Sequence, residues 1–228
     1  MTLSRLNLPV IKLLVAKDWR LFQKQLAACV LAGILALCLI GMAKSWSFYL
    51  GSLLMIIVLV SASCFSISTS LLVERKEQTL ALVMSLPVTP LDYYLAKLVG
   101  NLTTFLVPFL VMLAGTLFVI FFTPVPDGLV VLSLLIFGHV LVAFAVSLSV
   151  AMAVESEGWN IFAMIGSSVL INPFIMAVGQ LAVIKNFTNT DTIVFAPAVM
   201  SILLAQVVGS VVVLVVTGWV HGRKKSFY

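Results

Sequence analysis

Val73–Leu98 reads VERKEQTLALVMSLPVTPLDYYLAKL, and it is the only internal stretch that gathers charge of both signs in a chain whose charged residues make up 9% of the total. Upstream, Ser45–Val73 has no Asp, Glu, Lys or Arg, and downstream Leu98–Pro126 has none either. Each of those runs is longer than the roughly 20 apolar residues that a helix needs to cross a hydrocarbon core about 30 Å thick. The charged stretch is therefore a polar island between two membrane spans.

Working outward, the same charge-free criterion finds four more gaps: Gln25–Ala43, Gly128–Val154, Gly158–Ile184 and Thr192–Gly222. The 228 residues are 62% hydrophobic, with a mean hydropathy of +1.23, far above the about 45–50% usual for soluble domains. The expectation is one all-α transmembrane domain over 1–228, with spans at about 27–43, 48–72, 99–122, 129–154, 161–181 and 194–220. The net charge of +5 reads as loop topology and not as nucleic-acid binding, because the basic residues sit beside spans. Cys29, Cys38 and Cys64 fall inside spans and read as small buried hydrophobes. Lys12, Lys17, Asp18 and Arg20 interrupt any apolar leader, so no cleavable signal peptide is expected.

Residues 9–26 place Ile11, Leu14, Val15, Trp19, Phe22 and Leu26 at three- and four-residue spacing, with Lys12, Lys17, Arg20 and Lys24 largely opposite. This predicts an amphipathic helix on the membrane surface, with the bilayer as its partner, although Asp18 falls near the apolar arc. The alternative is a plain extension of the first span, which is short and needs added length. In span 2, SASCFSISTS (Ser61–Ser70) carries six hydroxyls in ten residues. Close helix packing is favoured there over a polar substrate path. Asn172-Pro173 predicts a break in span 5, because proline lacks a donor and clashes one turn back. His139, in span 4, reads as a lone neutral histidine bonded to a neighbouring helix, since no ligand-type residue lies at useful spacing.

With the N-terminus inside, eleven basic residues fall on the cytosolic side against Lys44 and Lys185 outside. The positive-inside bias therefore puts both termini and the island in the cytosol of a cell membrane. No GxxxxGK[ST], HExxH, GxSxG or CxxC occurs. The carboxylates Glu74, Glu77, Asp92, Asp127, Glu155, Glu157 and Asp191 are all expected in turns, which disfavours an intramembrane enzyme, and no cofactor or metal is implied. Within the island, Leu80, Leu82, Val83 and Leu86 form a short apolar face that Pro87 and Pro90 end. Spacing alone leaves two readings open: a docking helix for a partner, or a solvated loop touching headgroups.

The run ERKEQTLALVMSLPVTPLDYYLAKLVG resembles the segment after the second span of ABC-2 type permeases. The matching residues are Glu74, Glu77, Thr79, Leu80, Ser85, Leu86, Pro87, Tyr94 and Lys97, while Gln78 stands where the family usually has Gly. The six-span layout extends the likeness to the whole chain. The resemblance implies a permease half that pairs with a second copy or sister permease and with two ABC ATP-binding subunits, and that works as an exporter. It also implies a cytosolic coupling helix between spans 2 and 3, with Glu74, Glu77, Thr79, Leu80 and Pro87 as the contact to the ATPase. A membrane scaffold or accessory subunit without a transport path is the alternative from another class.

Overall fold

The computed structural model describes residues 8–76 and 90–222. Among them there is no strand, and six helices are long and apolar enough to cross a membrane. The expected coupling helix falls at about 79–87 and lies outside the described residues.

The first helix, α1 (Leu8–Gly41), runs without a break for 34 residues. Residues 9–26 were expected as a surface helix of their own, yet they continue directly into span 1. Gln25-Leu26-Ala27-Ala28 contains no glycine or proline to stop the helix. The inner face of this part also has an intramolecular partner: Ile11 and Leu14 pack with Ala96. Helix α2 (Ser45–Ile67) passes through a π-helical turn, Ser68–Leu72, into a single α-turn, α3 (Val73–Lys76). Helix α4 (Pro90–Phe122) begins well before residue 99, the expected start of span 3.

At about 1.5 Å per residue, α1, α2 with its extension, and α4 are each about 48–51 Å long, some 20 Å more than a bilayer core. α1 and α4 run parallel. Asp18 meets Lys97, Gly33 meets Met112, and Leu37 meets Gly115, an offset of 78–79 residues throughout. The surplus length of all three helices lies at the end where α1 and α4 start and α3 stops. At the other end, Ala43 (φ 50°) turns the chain from α1 into α2.

The second half consists of α5 (Leu129–Ala153), α6 (Glu157–Val169), α7 (Ile171–Gly179), the short α8 (Ala182–Phe187) and α9 (Pro197–Gly222). Span 5 is broken at Leu170, between α6 and α7. The expected site was Asn172-Pro173, but the proline ring conflicts with the carbonyl four residues earlier. The helix therefore gives way at Val169–Leu170, and Pro173 sits in the first turn of α7, where its missing N–H costs nothing. Pro197 opens α9 for the same reason.

The core joins α1, α2, α4 and α5. Phe105 stacks on Phe144 at 4.0 Å, and Phe109 meets Phe137 edge-on at 5.4 Å. Small residues set the closest approaches: a Cβ on Gly51 would lie 2.8 Å from the Ala36 carbonyl oxygen. Gln206 of α9 donates to the Leu135 carbonyl at 3.1 Å and lies against Gly138. The outer faces are apolar and exposed, with Phe162, Ile165 and Met176 on α6 and α7, and Leu204, Val211 and Val215 on α9. Such surfaces suit a hydrocarbon solvent.

Candidate functional site

The surplus ends of α1, α2–α3 and α4 converge on a cluster of buried charge. On α1 the buried stripe is Ile11, Leu14, Asp18 and Phe22, so Asp18 occupies a position that periodicity assigns to an apolar residue. Its carboxylate accepts from Lys97 Nζ at 3.0 Å on Oδ2 and at 3.3 Å on Oδ1. Lys97 also donates to Glu74 Oε1 at 2.8 Å. Asp18 and Lys97 are each 1% exposed and Glu74 6%. Lys17, at the rim and 40% exposed, donates to Glu74 Oε1 at 2.7 Å, and Tyr93 OH donates to Oε2 at 3.4 Å.

Among the described residues, Asp18, Glu74, Lys97 and Lys17 contribute two charges of each sign to the network. A buried charge is tolerated only when it is paired and its remaining hydrogen-bonding capacity is filled. Here one ammonium serves two carboxylates from different helices. Burial raises the proton affinity of Glu74, but the Lys97 charge and the bonds from Lys17 and Lys97 outweigh it. They hold the group below the ordinary glutamate value of 4.5.

Neutral polar groups extend the network into the bundle. Ser70, in the π turn, donates to Asp18 Oδ2 at 3.3 Å and accepts from Asn101 Nδ2 at 3.0 Å. Asn101 Oδ1 accepts from Ser66 at 3.0 Å, and Ser66 pairs with Thr104 at 2.7 Å. From Glu74 to Ser66 is eight residues, a reach of about 12 Å along the helix axis. The π turn has a local role, since an extra residue per turn re-aims the backbone, and Ser70 then faces both Asp18 and Asn101. A Cβ on Gly100 would lie 3.3 Å from Asp18 Oδ2, so glycine gives the carboxylate its room.

Several expectations are corrected here. Glu74 and Asp92 do not sit in turns: they lie in α3 and in the first turn of α4, both are buried, and Glu157 starts α6. Asp18, which only interrupts the apolar arc in the sequence, is the most deeply buried carboxylate among the described residues. The hydroxyls of SASCFSISTS do pack helices together, through Ser66 and Ser70. His139 meets the Ser167 backbone of the neighbouring α6, as expected of a lone histidine bonded between helices, and stacks on Phe174 of α7 at 4.5 Å, while its Nε2 has no hydrogen-bond partner among the described residues.

Of the residues expected at the ATPase contact, Glu74 is the one described, and it belongs to the buried network. Glu77, Thr79, Leu80 and Pro87 lie outside the described residues. Lys97, Asn101 and Thr104 fall on one stripe of α4, and Ser66 and Ser70 are spaced four apart on the facing helix. That periodic polar pattern, together with the Asp18 already noted near the apolar arc, is the signal in the sequence that points to the cluster. Tyr94 adds a fourth helix at this end, because its hydroxyl donates to the Leu214 carbonyl of α9 at 3.0 Å. Among the described residues no group of three His, Cys, Asp or Glu side chains could hold a metal ion. Compared with protein-family models, curated proteins and solved structures, the chain matches none of them.

Proposed function

We propose that this chain is the membrane-spanning permease subunit of an ATP-driven ABC transporter of the ABC-2 type. In this reading it is an exporter that pairs with a second permease copy or a sister permease. ATP is hydrolysed on separate ATP-binding subunits in the cytosol, where both termini and residues 77–89 lie.

One observation carries the reading. The segment between α3 and α4 is anchored on both sides by the same buried ion network, with Glu74 before it and Lys97 after it. A partner that moves residues 77–89 would therefore act on both anchors together, and through Asp18 on α1 as well. Such a clamp suits a lever: ATP-driven closure of the partner favours one arrangement of the spans over another by its differential contact with the two. Among the described residues, the polar side-chain contacts between α2 with its π turn and α4 are made by Ser66, Ser70, Asn101 and Thr104, so the clamp and its extension help to register the two spans.

The test is purification of the protein expressed together with its genomic neighbours. An ATP-binding subunit should come with it, and Leu80→Asp or Glu77→Lys should weaken that association and abolish transport-coupled ATP hydrolysis. Absence of any ATPase, together with both variants retaining wild-type function, rejects the reading in favour of a membrane scaffold.

A further inference from the structure

On the side of α1 and α4 that faces away from the bundle lies an open groove of about 600 Å³, within the about 300–1,000 Å³ usual for ligand sites. Its floor is apolar, with Val15 and Trp19 from α1 and Val99 and Val107 from α4, and its cations are Lys12 and Arg20. Among the described residues no carboxylate lines it. The nearest carboxylate on α1, Asp18, points inward and is engaged by Lys97. Lys12 and Arg20 are exposed and carry no ion pair among the described residues.

The helix register gives the groove a polarity. With α1 and α4 parallel and offset by 78–79 residues, Val99 is level with Arg20, and Val107 is level with residue 28 or 29. The apolar floor thus continues about 12 Å deeper than the innermost cation, and Lys12 lies about 12 Å further out. The cations mark the end of the bundle where charged residues concentrate, and the floor leads into the charge-free part of both helices. Thr103, midway along the floor, returns its hydroxyl to the Val99 and Gly100 carbonyls at 2.7 and 2.9 Å, so the hydroxyl is satisfied within α4.

From this arrangement we infer a binding site for one anionic glycerophospholipid. Its head-group phosphate sits between Lys12 and the planar guanidinium of Arg20, and one acyl chain lies along Val99–Val107. Basic pockets between spans at the cytosolic face suit such head groups, and an Arg fork suits phosphate oxygens. The site depends on the membrane-spanning fold and is independent of any transport activity.

The experiment measures lipid retention by the purified full-length chain, using native mass spectrometry and titration. The probes are phosphatidylglycerol, phosphatidylcholine with the same chains, and glycerol phosphate without chains. The wild type should hold phosphatidylglycerol above phosphatidylcholine and should not hold glycerol phosphate. Lys12→Gln/Arg20→Gln should lower phosphatidylglycerol affinity by about 30-fold, near the cost of two surface cations, and lower phosphatidylcholine affinity by less, because the choline already offsets the charge of its phosphate. Thr103→Trp, which fills the floor, should weaken both lipids, whereas Lys24→Gln, outside the groove, should change neither. Equal retention of the two lipids by the wild type overturns the proposal, as does undiminished phosphatidylglycerol binding by the double variant. Glycerol phosphate binding as tightly as the lipid would replace it with a plain anion site.

Discussion

Lys97→Met removes the one cation that serves both buried carboxylates while keeping a side chain of similar length. Asp18 would retain only the Ser70 hydroxyl at 3.3 Å, whereas Glu74 would keep Lys17 at 2.7 Å and Tyr93 at 3.4 Å. Most of the damage therefore falls on Asp18, left in a site 1% exposed with no directly bonded cation and only the weaker, more distant attraction of Lys17. Removing one partner of a buried ion pair costs about 3–5 kcal/mol. Asp18→Asn/Lys97→Met leaves the Glu74–Lys17 pair and no isolated charge, so it should be more stable than Lys97→Met alone. Replacing a whole buried pair by apolar or neutral groups is often close to neutral. The assay is thermal or denaturant unfolding of wild type, both single variants and the double variant in one detergent, read as a double-mutant cycle. A Lys97→Met protein as stable as wild type, or a double variant no better than Lys97→Met, would refute the pairing as the reason these charges are tolerated.

Other expectations test separate parts of the fold. Because the folded Glu74 carboxyl is held below its ordinary value of 4.5, its contribution is fully present above pH 4.5 and is lost as the pH falls through the lower folded value. The stability advantage of wild type over Glu74→Gln should stay constant from neutral pH down to about 5 and shrink below 4.5; an advantage that grows on acidification contradicts this. Asn101→Leu breaks the neutral extension through Ser66 and Ser70 and should cost about 0.6–2 kcal/mol, measurably less than Lys97→Met in the same unfolding assay. Gly51→Ala would push a Cβ to 2.8 Å from the Ala36 carbonyl oxygen and 2.9 Å from the Ile40 nitrogen. Neither atom belongs to a mobile side chain, so α1 and α2 must separate at a cost of about 1–3 kcal/mol, visible as a lower unfolding midpoint.

The spans were legible because each is a long run without charge, and lipid admits only helices for such runs. Their ends were less legible for one physical reason. Counting charge treats every Asp or Lys as the edge of a helix, but Asp92 and Lys97 lie within α4, and Asp18 within α1. Lys97 and Asp18 cancel each other from 79 residues apart, a pairing that no local periodicity encodes. Proline was read correctly as a breaker, and only the point of failure moved, because its clash acts one turn back. The polar island was recognisable by contrast, yet its anchoring was not: Glu74 looked like part of a solvated loop until Lys97 and Lys17 stood beside it. The groove on the outer side of α1 likewise required α4, since Lys12 and Arg20 alone read as the polar face of a surface helix.

We propose that residues 77–89 receive an ATPase and pass its motion to the spans through the Glu74–Lys97–Asp18 clamp. The most direct measurement is site-specific photo-crosslinking from position 80 in native membranes, with and without ATP. The expected product is an adduct with a nucleotide-binding subunit whose yield changes with nucleotide in wild type and loses that dependence in Lys97→Met. Adducts to lipid alone, in both nucleotide states, would contradict it.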